Sequence, residues 1–254
     1  MSTVEEKLAE PLTAETADLV LCYGDSITRG VPGVTYLSFI NKKWKLKNYG
    51  LGGDTLIGLS NRVFLNMENR RRDSYILQIG TNDILLPYLF NHSELWRDRI
   101  AGLIKRGSKP CENEHNFKEE FERLILKFQK QGKKLKIINI PCIGEDLKST
   151  LNTKVDTYNN VLKTLTDEYG IDYIDFNNWQ KNMLKDKNNG NNYFISKNPF
   201  DVVIDSLLTS FLPVSDCLSR KRGLHITIDG CHLNTLGARG LADLVEERLC
   251  KQRM

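Results

Sequence analysis

Ser26, Asp229 and His232 are the side chains from which this sequence can build an activated nucleophile. Ser26 stands in Gly24-Asp25-Ser26-Ile27-Thr28, and His232 follows Asp229 by three positions in Asp229-Gly230-Cys231-His232. At that spacing in a turn, a carboxylate can accept a hydrogen bond from one imidazole nitrogen. The bond fixes the tautomer and leaves the other nitrogen free to take a proton from a serine hydroxyl. Two more polar blocks, Gly52-Gly53-Asp54-Thr55 and Gly80-Thr81-Asn82-Asp83, offer hydrogen-bond donors. In the first of these a glycine N–H is not shielded by a Cβ, and in the second Asn82 carries a side-chain amide. With the N–H of Ser26 they make three candidate donors for an oxyanion. Such parts belong to a serine hydrolase.

Taken singly, each block also reads as an ordinary turn. Asp25 or Ser26 can cap a helix, Asp54 or Thr55 can do the same, and one Asn after a strand is a common turn residue. Two other chemistries are weaker. No Gly-x-Ser-x-Gly elbow surrounds Ser26, which disfavours an α/β-hydrolase, and no Gly-Lys-Ser/Thr follows the glycines, which disfavours a phosphate loop. His225, Asp229 and His232 are workable metal ligands, but nothing else in the chain supplies a convincing fourth. Cys231 is either a thiol facing the cleft beside His232 or a small residue packed away from it.

The elements that must position these residues alternate. Leu19–Tyr23, Lys45–Tyr49, Ser74–Ile79, Leu135–Ile140 and Ile171–Phe176 are short apolar runs, as expected of strands buried on both faces. Helical spacing links Phe117, Phe121, Leu124, Ile125 and Phe128 over 114–131, with Gly132 at the end. It also links Val155, Tyr158, Val161, Leu162 and Leu165 in a stretch closing at Gly170, and a last helix starts near Asn234 or Thr235. Strand and helix repeated in this way predict an α/β fold, a doubly wound parallel sheet with helices on both faces. The first three polar blocks fall at strand ends, where such sheets collect reactive groups.

We expect one domain over 1–254, with an acidic N-terminal extension (1–17) and two long insertions at 88–113 and 178–224. Tyr88, Phe90 and Trp96 in the first insertion, and Tyr193, Phe194, Phe200 and Phe211 in the second, can line an acyl or sugar pocket or simply pack. The apolar run Val202–Leu212 fits a lid, a core helix or a dimer contact. Oligomeric state is not readable.

Composition sets the remaining bounds. The 254 residues carry a formal charge of +4, too little to argue for nucleic acid, and Arg70-Arg71-Arg72 and Arg220-Lys221-Arg222 read as solvated faces. No run approaches a membrane span, and residues 1–18 lack an apolar stretch of signal-peptide length. Six cysteines without Cys-x-x-Cys spacing read as reduced thiols. A cytoplasmic protein is the expectation, although a secreted chain trimmed of its leader would look the same.

In order, Gly-Asp-Ser-Ile-Thr, Gly-Asp-Thr, Gly-Thr-Asn-Asp and Asp-Gly-x-His-Leu-Asn resemble the motifs of the SGNH hydrolase superfamily, the GDSL-type esterases and lipases. The resemblance spans about residues 18 to 245. It implies a flavodoxin-like, five-stranded parallel sheet. It further implies hydrolysis of a carboxylic ester or thioester through an acyl-enzyme, with Ser26 as nucleophile, His232 as base and Asp229 orienting it. Ser26, Gly53 and Asn82 would form the oxyanion hole. No cofactor is implied, because side chains and water suffice. The substrate would be a small ester (an acylated sugar, a lipid or a simple ester), and transfer to another alcohol stays open. A non-catalytic binding module on the same fold is the rival reading. The two insertions depart from the family pattern and leave the substrate unassigned.

Overall fold

A computed structural model describes residues 19–67, 74–187, 193–195 and 198–251. The N-terminal extension, Arg70-Arg71-Arg72 and part of the polar tract 185–192 lie outside the described residues. Five parallel strands form the sheet: β1 (Leu19–Gly24), β2 (Lys45–Gly50), β3 (Ser74–Gln78), β4 (Lys134–Ile138) and β5 (Asp172–Ile174). Their spatial order is β2-β1-β3-β4-β5. The chain therefore steps one way from β1 to β2 and the other way from β3 onward. That reversal opens a crevice at the carboxyl ends of β1 and β3, the usual ligand position in open α/β sheets.

Side chains alternate across the sheet, so successive residues enter different cores. Leu21, Tyr23, Tyr75 and Leu77 pack under α2 (Leu56–Asn66), α5 (Glu114–Lys130) and α6 (Thr150–Glu168). Val20, Cys22, Ile76 and Ile174 pack on the other side, against α7 (Phe176–Leu184) and α10 (Thr235–Lys251). The predicted helical stripe Phe117, Phe121, Leu124, Ile125 and Phe128 is wholly buried. Gly132 and Gly170 take positive φ just beyond α5 and α6, as end-of-helix glycines do.

Two expectations need correcting. β2 is not buried on both faces: it is the edge strand, and Lys45, Lys47 and Asn48 are exposed. Charged residues on an edge discourage further pairing. Nor is Arg220-Lys221-Arg222 uniformly solvated. Arg222 is half-buried and makes a two-pronged contact with Asp205 at 2.7 and 2.9 Å.

Both insertions are helical. The first begins inside α3 (Thr81–His92) and continues through α4 (Glu94–Lys105); the second carries α8 (Pro199–Phe211) and α9 (Ser215–Lys221). Among the described residues no helix is long and apolar enough to cross a membrane. The apolar run Val202–Leu212 lies mostly in α8, with Val202 turned inward and Ile204, Leu207, Phe211 and Leu212 exposed. It is a surface helix rather than a core one.

Candidate active site

Ser26 is the first residue of a one-turn helix, α1 (Ser26–Arg29), directly after β1. Asp25 is the cap: its carboxylate accepts from the Ile27 N–H at 2.9 Å. The Ser26 N–H, at the start of that helix, has no acceptor within it. Asp25 is fully buried, and burial pushes its pKa up to about 6 against the pull of the Ile27 N–H and of His232.

His232 reaches Ser26 from the far end of the chain. Its Nε2 lies 2.9 Å from Ser26 Oγ and its Nδ1 lies 2.7 Å from Asp229 Oδ2. The other Asp229 oxygen accepts from the N–H groups of Cys231 and His232, at 2.9 and 2.8 Å. Burial alone would raise the Asp229 pKa, but His232 and these N–H donors hold it below the usual carboxylate range. Burial would likewise lower His232, and Asp229 reverses that, leaving its pKa above the ordinary 6.5. An imidazole held in this way can accept the serine proton and be stabilised as imidazolium.

The turn bearing Asp229 and His232 is pinned by a residue that sequence reading missed. Glu145, buried after β4, accepts from the N–H groups of His225, Ile226 and Thr227 and from the Thr227 hydroxyl, at 2.7–2.9 Å. Gly230, at φ 86°, turns its carbonyl to accept from the Gly144 N–H at 2.6 Å. The available signal was an acidic residue in a glycine turn at the carboxyl end of the fourth strand. Arg222 also donates to the Ile228 carbonyl at 2.8 Å, so the turn is held from both sides.

Gly53 has φ 76°, and a Cβ there would come within 2.8 Å of Leu103. Thr55, not Asp54, caps α2. Asp54 is buried and bound by Arg62 at 2.5 and 2.9 Å, an ion pair with no local sequence signal. Asn82 donates one amide hydrogen to the Asp54 carbonyl at 2.9 Å. That bond fixes the side chain and leaves its second amide hydrogen for the cleft. Asp83 accepts from the N–H groups of Leu56 and Cys111, at 3.0 and 2.9 Å. It therefore ties α2 and the segment after α4 to the end of β3.

Ser26, Gly53, Asn82 and His232 line one cavity of about 430 Å³, within the range of small-molecule sites. Trp96 lines it too, whereas Tyr88, Tyr193 and Phe194 line a separate cavity near Gly144. Phe90, Phe200 and Phe211 are exposed. Cys231 both lines the cavity and is buried, and burial pushes its thiol pKa well up. The ligand set His225, Asp229 and His232 does not assemble. Asp229 and His232 hold each other, and among the described residues no group of three His, Cys, Asp or Glu is placed to hold a metal.

A sequence model of the GDSL-like lipase/acylhydrolase family matches residues 22–239. The chain belongs to that family. Among solved structures, this GDSL-like chain is similar to the acetylxylan esterase Axe2 of Geobacillus stearothermophilus, with 16% identity and a TM-score of 0.60, over 91% of this chain and 94% of that one. It is similar to the acetyl xylan esterase AlAXEase at 20% identity and TM-score 0.57, over 91% and 99%. It also resembles LAE5, an alpha/beta hydrolase enzyme from the metagenome of Lake Arreo, Spain, at 15% and 0.58, over 90% and 93%. At these identities the likeness concerns the fold. No curated protein sequence matches the chain.

Proposed function

We propose that this GDSL-like chain hydrolyses a carboxylic ester or thioester through an acyl-enzyme on Ser26. The observation that carries the reading is the unbroken line from Asp229 through His232 to the serine hydroxyl, at 2.7 and 2.9 Å. Ser26 Oγ attacks the carbonyl carbon while its proton passes to His232 Nε2. The resulting oxyanion is held by the N–H groups of Ser26 and Gly53 and by the Asn82 amide. As the carbonyl re-forms, the bond to the alcohol or thiol breaks and the leaving group takes the proton from His232. Water then attacks the acyl-enzyme and gives a proton to His232, which passes it to Ser26 Oγ as the acyl–oxygen bond breaks and the acid leaves. Another alcohol in place of water would make the reaction a transfer.

The three-residue spacing of Asp229 and His232 has a counterpart in the Axe2 esterase. Catalytic mutants of that protein replace a serine, a histidine, and an aspartate three positions before the histidine.

The test is intact mass after treatment with a fluorophosphonate, on the wild type and on Ser26→Ala, beside an ester-hydrolysis assay. One adduct on the wild type and none on the variant is the expected result. A folded wild type that takes no adduct and hydrolyses no ester would instead be a binding module.

A further inference from the structure

Three guanidinium groups line the cavity that holds Ser26: Arg29, Arg99 and Arg106. Among the described residues no Asp or Glu lines that cavity, and no carboxylate pairs with any of the three. By contrast, the half-buried Arg62 and Arg222 each find an acid, Asp54 and Asp205. Leaving three cations unpaired around one cleft costs self-repulsion: the Arg99 pKa is lowered chiefly by partial burial of the guanidinium and further by Arg106. Arg29 lies three residues after Ser26 on α1, hence on the same side of that turn. Its Nη1 would stand 3.6 Å from a Cβ placed on Gly52, next to the candidate oxyanion donor Gly53. Arg99 sits over the Trp96 ring at 5.9 Å. Apolar side chains supply much of the remaining wall, with Leu86, Leu89 and Trp96 buried along it, and Ser108 and Ser206 are its polar members outside the candidate site.

Resting on the esterase reading above, we infer that the substrate is an anionic amphiphile: an ester with an apolar acyl chain and a phosphate or carboxylate group held by Arg29, Arg99 and Arg106. Guanidinium forks suit both anions, and their hydrogen bonds to a charged group are among the stronger polar contacts. The apolar wall gives the acyl chain a surface to leave water for. A neutral acetylated sugar carries neither a charge for the three arginines to offset nor an acyl chain long enough to cover the apolar wall.

The experiment compares kcat/KM for three chain-matched esters: monooctanoylglycerol, its phosphate monoester, and the octanoyl ester of lactate. The anionic esters are expected to exceed the neutral one by about tenfold or more. That preference should shrink with added salt and fall in Arg99→Gln and Arg106→Gln. All of these side chains are exposed, so the variants are expected to fold. If only the phosphate ester is preferred, the anion is a phosphate; if both are, the site reads charge alone. Equal kcat/KM for neutral and anionic esters, or a preference untouched by the substitutions, would overturn the inference. Failure of the esterase reading would look different: no ester turned over and no fluorophosphonate adduct.

Discussion

The strand-end turns and the helical insertions meet at one cavity but are built by different rules. At the turns, buried carboxylates hold the backbone: Asp25 caps α1, Asp83 ties two segments, and Glu145 and Asp229 each collect N–H donors. In the insertions, α8 leaves Phe200, Ile204, Leu207 and Phe211 exposed. A buried carboxylate with several donors has essentially one position, whereas a surface helix tolerates substitution. The chemistry is therefore expected to be intolerant at the turns and the specificity adjustable in the helices.

The sharpest way to break that contrast is Ser26→Ala, which should lower kcat on a reactive ester by about 10⁴-fold or more. Asp229→Asn comes next, at up to about 10⁴-fold, and carries a pH signature. His232 must be neutral to accept the serine proton, and its pKa is raised by Asp229. Wild-type activity should thus rise with pH through a value above 6.5. Removing the carboxylate should move that inflection down. The same pairing stabilises the fold fully below the unfolded histidine pKa, and this contribution is lost as pH rises through the folded value.

Asn82→Ala should cost about 10²–10³ in kcat; turnover at the wild-type rate would remove Asn82 from the assigned oxyanion donors. Glu145→Ala leaves two buried N–H groups and a part-buried one without an acceptor and should cost about 3 kcal/mol in a denaturant melt. Activity should fall alongside, because the His232 turn is no longer held. The smallest effect belongs to the insertion. Phe211 is 81% exposed, so Phe211→Ser should change stability by no more than about 0.5 kcal/mol. A loss of several kcal/mol there would mean that the helices are as constrained as the turns.

The contrast also tracks what could be read in advance. The blocks that hold Ser26, Gly53, Asn82, Asp229 and His232 were legible because each is short and polar, three of them just after strands. The parallel sheet followed from the alternation of strands with helices, whereas the order β2-β1-β3-β4-β5 is visible only in the structure. β2 misled because an edge strand need bury little, and Lys45 and Lys47 were counted with an apolar run. Glu145 escaped because its partners lie 80–82 positions away, and Arg62 because it reaches back eight positions to Asp54, beyond the three- and four-residue spacing that a helix makes readable. Helix placement inside 88–113 and 178–224 escaped for a related reason: α4 and α8 line the cavity instead of alternating with strands.

The Glu145 anchor enlarges the target for inactivating change. A library of random variants scored for hydrolysis alone would show one set of losses at Ser26, Asn82, Asp229 and His232 and a second island at the end of the fourth strand. That second island lies more than a hundred positions from the serine, and its residues donate nothing to the reacting atoms. Scored for soluble yield, the two would separate: Ser26 variants would accumulate as intact protein, and Glu145 variants would not.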